Sequence, residues 1–174
     1  MTYKELTIRN AAEADSVLLS AWWNDGRIMA HAGFTRGTGE TPEKIAAKLS
    51  EDKDGERRRF IIEYRGIPIG ETSYCNVGNQ TAEIGIDICN ETMREHGLGR
   101  IILSMLFTEL FDRWGFERIV LDTNLENKRA QHVYELLGFK QVRVRPHAYP
   151  NDQGVWQTAI DYALQKSDFV NFAS

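Results

Sequence analysis

Arg94-Glu95-His96-Gly97-Leu98-Gly99 forms an Arg-x-x-Gly-x-Gly stretch, followed at once by apolar residues at helical spacing. Two glycines so placed permit positive φ and close backbone approach, and the first turn of a helix leaves amide hydrogens without intrahelical partners. Those amides, with the helix dipole behind them, suit a phosphate or another anion. A tight loop between packed elements would use the same residues, so the pattern alone carries both readings. Other chemistry-bearing residues are sparse. Cys75 and Cys89 stand in no Cys-x-x-Cys or Cys/His spacing of zinc type and read as reduced, core or half-buried thiols. No metal site is expected. His31, in "MAHAGF", reads as a loop hydrogen-bonder, and the basic run "GERRRF" at 55–60 as the solvated start of a strand.

The elements that must position the glycine stretch follow from periodicity. Residues 81–89, "TAEIGIDIC", are β-rich and lead into it; Ile101, Ile102, Met105, Leu106, Leu110 and Trp114 continue it as a buried helix, with Phe107 and Phe111 widening the stripe. Upstream, "ELTIRN" at 5–10 alternates as a first strand, and 11–26 reads as a helix running into a loop at Gly26. A second helix begins with Thr41 as N-cap, Pro42 at the first helical position and Glu43 in the first turn. "RFIIEYR" and "IPIGETSYCNV" then join 81–89 in an antiparallel meander. Downstream come a strand at 117–125, a helix at 127–138 stopped by Gly138, and strands at 139–146 and 155–164. This order predicts an α/β (α+β) fold: a mixed, mostly antiparallel sheet with helices on both faces.

The 174 residues suit one domain, 1–174, with a hydrophobic content of 42% and a charged content of 26% in the globular range. A net charge of −4 argues against generic nucleic-acid binding, which needs a basic face. No apolar run approaches membrane-spanning length and no signal segment opens the chain, so a soluble, cytoplasmic protein without a membrane partner is expected.

Two segments together resemble the GNAT superfamily of acetyl-CoA-dependent N-acetyltransferases. "AEIGIDICNETMREHGLGR" resembles its strand, Gln/Arg-x-x-Gly-x-Gly/Ala loop and following helix. "NLENKRAQHVYELLGF" resembles its Asn-x-x-Ala/Ser-x-x-x-Tyr-x-x-x-Gly-Phe signature through Asn127, Ala130, Tyr134, Gly138 and Phe139, about thirty residues later. The resemblance is close over 83–139, the acetyl-CoA-binding core, while 1–60 would lie on the acceptor side. It implies two central parallel strands that splay apart, with the pantetheine arm of acetyl-CoA in the gap.

By the same resemblance, amides of Glu95, His96, Gly97, Leu98, Gly99 and Arg100 would hold the pyrophosphate, with Arg94 in support. The strand 83–89 would offer Asp87, Ile88 and Cys89 through backbone atoms, the Asp87 amide meeting the thioester carbonyl where charge develops. Tyr134 would protonate the departing thiolate, its phenol having an ordinary pKa of about 10 against roughly 8.5 for a thiol. Asn127 would start the helix and touch the cofactor arm. Glu83 stands where the histone-acetylating branch carries its base; Glu71, Asp87, His31 and an ordered water are the alternatives. The acceptor would be an amine, either of a small cationic molecule or of a protein N-terminus. A homodimer is compatible with the resemblance, and a non-catalytic acyl-CoA sensor is a rival from a different class. Trp22 and Trp23, in "SAWWNDGRIMAHAGF", would border the acceptor site or belong to the core.

Overall fold

A computed structural model describes residues 1–93 and 97–174, and of His31 the backbone alone. Eight strands form one sheet: β1 Thr2–Tyr3, β2 Leu6–Asn10, β3 Arg57–Tyr64, β4 Ile67–Asn76, β5 Thr81–Ile88, β6 Arg118–Asn124, β7 Lys140–Pro150 and β8 Trp156–Gln165. Their spatial order is β1-β2-β3-β4-β5-β6-β8-β7. Every neighbouring pair is antiparallel except β5 and β6. The helices are α1 Ser16–Trp23, α2 Gly26–Met29, α3 Pro42–Ser50, α4 Leu98–Thr108 and α5 Lys128–Leu136.

Alternation along β3 separates the two faces of the sheet, because successive strand residues point to opposite sides. Phe60 and Ile62 join the large cluster built with Ile102, Leu103, Leu106 and Phe107 of α4 and Tyr134 of α5. Ile61, between them, packs with Leu19 of α1 and with Ile45 and Leu49 of α3. Helices therefore cover both faces, as the element order predicts. The two expected caps are also in place. The Thr41 side chain accepts from the Lys44 amide, with Pro42 opening α3, and Asn127 accepts from the Ala130 amide at 3.2 Å to open α5.

Several details differ from the sequence reading. The first segment adds a two-residue strand, β1, too short to leave a periodic signal. The helix expected over 11–26 starts as a 3-10 turn at Glu13–Asp15, and the loop after it holds the short helix α2. The helix after the glycine stretch ends in a π turn, Glu109–Arg113, which keeps Leu110 and Phe111 buried. Cys89 is buried as expected, but Cys75 is exposed near the β4–β5 hairpin. Among the described residues, no helix is long and apolar enough to cross a membrane.

Candidate active site

The site arises from a parallel pair that does not stay paired. β5 and β6 are in register only at Thr81–Arg118, Ala82–Ile119 and Glu83–Val120. Beyond Glu83, β5 continues along β4 and β6 along β8, so the two strands diverge. Between them opens a cavity of about 1490 Å³, walled by Ile84–Ile88 on one side and by Asp122, Thr123 and Asn124 on the other. α4 and α5 close its ends through Gly97–Arg100 and through Asn127, Ala130, Val133 and Tyr134.

Gly97 is the N-cap of α4, with φ 70°, in the left-handed region that a side chain disfavours. It supplies no side-chain cap, so the helix end presents its main chain to the cavity. Gly99 plays a different part: its φ is ordinary, and an added Cβ would meet only Ile88 Cδ1, at 4.0 Å. The Arg100 guanidinium lies 5.1 Å from the centre of the Phe172 ring. Arg94, Glu95 and His96, all expected to bind the cofactor, lie outside the described residues.

Tyr134 is 7% exposed, with the rings of Phe139 and Tyr162 each 5.7 Å away. Burial pushes its phenol well above the ordinary tyrosine value, and the Asp87 and Asp122 carboxylates push it further. The group therefore keeps its proton at neutral pH, as a proton donor must. Asn127 caps α5, as expected, and also lines the cavity.

A second cavity, of about 460 Å³, meets the first at Phe34, Gly85, Ile86 and Asp87. Its wall includes Trp23, Glu40, Lys48, Arg59 and Glu71. Glu71 is 3% exposed; its Oε1 accepts from Trp23 Nε1 at 2.6 Å and its Oε2 from the Arg59 guanidinium. Arg59 also stacks 4.6 Å over the Trp23 ring. Burial raises the Glu71 carboxyl above the ordinary range; Arg59 opposes that rise and the neighbouring Asp87 charge adds to it. This cluster revises the reading of "GERRRF". In a strand, alternate residues of an arginine run face inward, and Arg59 shares the face of Ile61. The alternation was the signal.

Glu83 is not brought to the site. It is exposed, sits opposite Cys75 and lines neither cavity, because β5 is still paired on both sides there. Asp87 and Ile88 do line the first cavity, and Asp87 lines both. The Cys89 amide donates to the Ile69 carbonyl at 2.9 Å, and Cys89 lines neither cavity. The side chain of His31 lies outside what is described.

Known proteins agree with this architecture. The chain is similar to ribosomal protein bS18 alanine N-acetyltransferase of Salmonella typhimurium, 38% identical over 71 residues, which span 41% of this chain and 47% of that protein. Its fold is similar to that of spermidine N-acetyltransferase from Vibrio cholerae, solved with CoA and spermine: TM-score 0.85 at 21% identity, over 97% of this chain and 99% of the other. A ribosomal-protein-S5-alanine acetyltransferase from Vibrio fischeri gives a TM-score of 0.83 at 16% identity, over 98% of each chain. The acetyltransferase (GNAT) domain family matches residues 5–140, most of the chain, and by that match this protein belongs to the GNAT acetyltransferases.

Proposed function

We propose that this enzyme transfers the acetyl group of acetyl-CoA to a primary amine of a small cationic molecule, by direct attack of the amine. The observation that carries this reading is the meeting of two cavities at Gly85–Asp87, with the buried Tyr134 phenol on the larger one. The residues present fit acetyl-CoA: strand edges that diverge for its pantetheine arm, and an α4 N-terminus whose cap residue, Gly97, carries no side chain, for its pyrophosphate. When bound, acetyl-CoA supplies an acyl group activated as a thioester. Gly97 lets the main chain approach the phosphates, Leu98 to Arg100 donate amides to them, and Asn127 holds the start of α5 against the arm. Main-chain groups of Ile88 orient the acyl end, since those of Asp87, like the Cys89 amide, are turned toward β4. Tyr134 delivers its proton to the departing sulfur.

The smaller cavity suits the acceptor. Its volume of about 460 Å³ is that of a small-molecule site, and beside the Trp23 and Phe34 rings it carries Glu40 and Glu71, paired with Lys48 and Arg59, and the further carboxylate Asp87. Acetylation of a protein N-terminus is the second reading, favoured by the 38% identity to the bS18-alanine enzyme. Thiol release from acetyl-CoA, with product masses, across diamines, polyamines, aminoglycosides and alanine-starting peptides separates the two. Turnover with small cationic amines is the expected result. Turnover with peptides alone would replace it by the second reading, and cofactor binding without any turnover would make the protein a sensor.

A further inference from the structure

Asp87 stands where the two cavities join and is the register partner of Glu71 across β4 and β5. Directly opposed residues in an antiparallel pair share a face, so the two carboxylates are neighbours. Behind Asp87, Glu71 has one oxygen on Trp23 and the other on Arg59. On the other side, the Asp87 charge is felt at the Tyr134 phenol as well as at Glu71.

We infer that the Asp87 carboxylate is the catalytic group that takes the proton an acceptor ammonium must lose, and that Glu71, Arg59 and Trp23 form the positioning assembly behind it. This rests on the acetyl-transfer reading above. An alkylammonium has a pKa of about 10.4 and carries no lone pair for attack until one proton leaves. That proton goes to an Asp87 oxygen and from there to solvent. The nitrogen lone pair then forms the N–C bond, the C–S bond breaks with its electron pair on sulfur, and Tyr134 gives sulfur a proton. The second amine proton restores the phenol. The sum is amide, thiol and one proton in solution.

The other carboxylates are worse placed. Glu71 has both oxygens engaged in a buried cluster, and Glu83 lines neither cavity. Glu40 has its Oε1 ion-paired to Lys48 at 2.9 Å and its Oε2 buried without a hydrogen-bond partner among the described residues, but it lines the smaller cavity only and does not reach the junction. The ionisable groups around Asp87 are Glu71, Arg59, Glu40 and Lys48 from the smaller cavity. Among the described residues, those that line the larger one are Tyr134, Asp122, Arg27, Arg100, Arg129, His132 and Tyr149.

The test is the pH dependence of kcat/KM for the wild type, Asp87→Asn and Glu71→Gln, with two acceptors of different basicity, beside calorimetric acetyl-CoA affinity. The wild type should show an acid-side fall at the same pH with both acceptors. Asp87→Asn should keep acetyl-CoA affinity within about threefold, lose roughly 10²–10⁴ in kcat/KM and lack that fall. Glu71→Gln removes a positioning group and not the proton acceptor, so it should lower kcat/KM by less than Asp87→Asn does and keep the acid-side fall. Should Asp87→Asn not fold, Asp87→Ala gives the same readout. A wild-type profile in the Asp87 variant, moving only with the acceptor, overturns the inference and leaves the acetyl-transfer reading intact. Absence of thiol release by the wild type overturns that reading and the inference with it.

Discussion

Gly70→Ala tests the contact that fixes β5 at the site. Gly70 lies in β4 opposite Ile88, and a Cβ added there would stand 2.2 Å from the Asp87 carbonyl oxygen and 3.0 Å from Ile88 Cα. Ordinary contact begins at 3.4 Å, so the new methyl is about 1.2 Å too close to main-chain atoms that have no rotamer to change. β5 must then move off β4 by about an ångström, at the segment that joins the two cavities. Overpacking of this kind costs about 1–3 kcal/mol. At about 2–4 °C per kcal/mol for a chain of this size, the melting temperature should fall by about 2–12 °C. Activity should fall more steeply than stability, because misplacing a reacting group by about 1 Å can cost on the order of 10²-fold. Circular dichroism melts and steady-state thiol release at 20 °C below the variant's own midpoint separate the two effects. Gly85→Ala is the control for stability: its Cβ would meet only Ser73 Oγ, at 3.5 Å, and it should melt within about 2 °C of the wild type. A Gly70→Ala protein with wild-type melting and kcat/KM would refute the close approach of β4 to β5 and the placement of Asp87 that depends on it.

Gly97→Val forces a β-branched residue to φ 70° at the α4 cap, a strain of about 1–3 kcal/mol that should weaken acetyl-CoA binding by about 5- to 150-fold in calorimetry. Unchanged affinity in a folded variant would remove the anion cradle. Asn127→Ala loses the cap on the Ala130 amide and should cost about 1 kcal/mol, read as a fall of about 2–4 °C in Tm. An unchanged Tm would show that the cap carries no stability. Glu83→Gln should leave kcat/KM within about twofold, since the residue is exposed and lines neither cavity. A drop comparable to loss of a general base, about 10²-fold or more, would return Glu83 to the chemistry.

The core and its caps were legible because they are local or periodic. Thr41-Pro42 and Asn127 mark helix starts by side-chain chemistry, and the Ile102 to Phe111 stripe marks a buried helix by spacing. Tyr134 was legible through the segment 124–139 rather than by its own type, since a tyrosine on an amphipathic helix is ordinary packing in isolation. Glu83 was misplaced for a topological reason: where β5 parts from β6 depends on how many residues pair, and pairing length leaves no mark in a strand's own sequence. The Trp23–Arg59–Glu71 cluster joins residues 36 and 12 positions apart on three elements, and only the sheet register brings them together. Arg59 was hidden further by the two arginines before it, which pair with the exposed carboxylates of Glu51 and Asp54 and make the run resemble a solvated face.

The most direct test of acetyl transfer at the strand splay is the turnover number of Tyr134→Phe at saturating acetyl-CoA and amine. The substitution removes one oxygen from a ring held between Phe139 and Tyr162, so fold and acetyl-CoA affinity should be retained. With the proton donor gone, kcat should fall by roughly 10²–10⁴-fold. Near-normal kcat in a folded variant that binds acetyl-CoA as the wild type does would contradict the assignment of Tyr134 and make solvent the source of the proton.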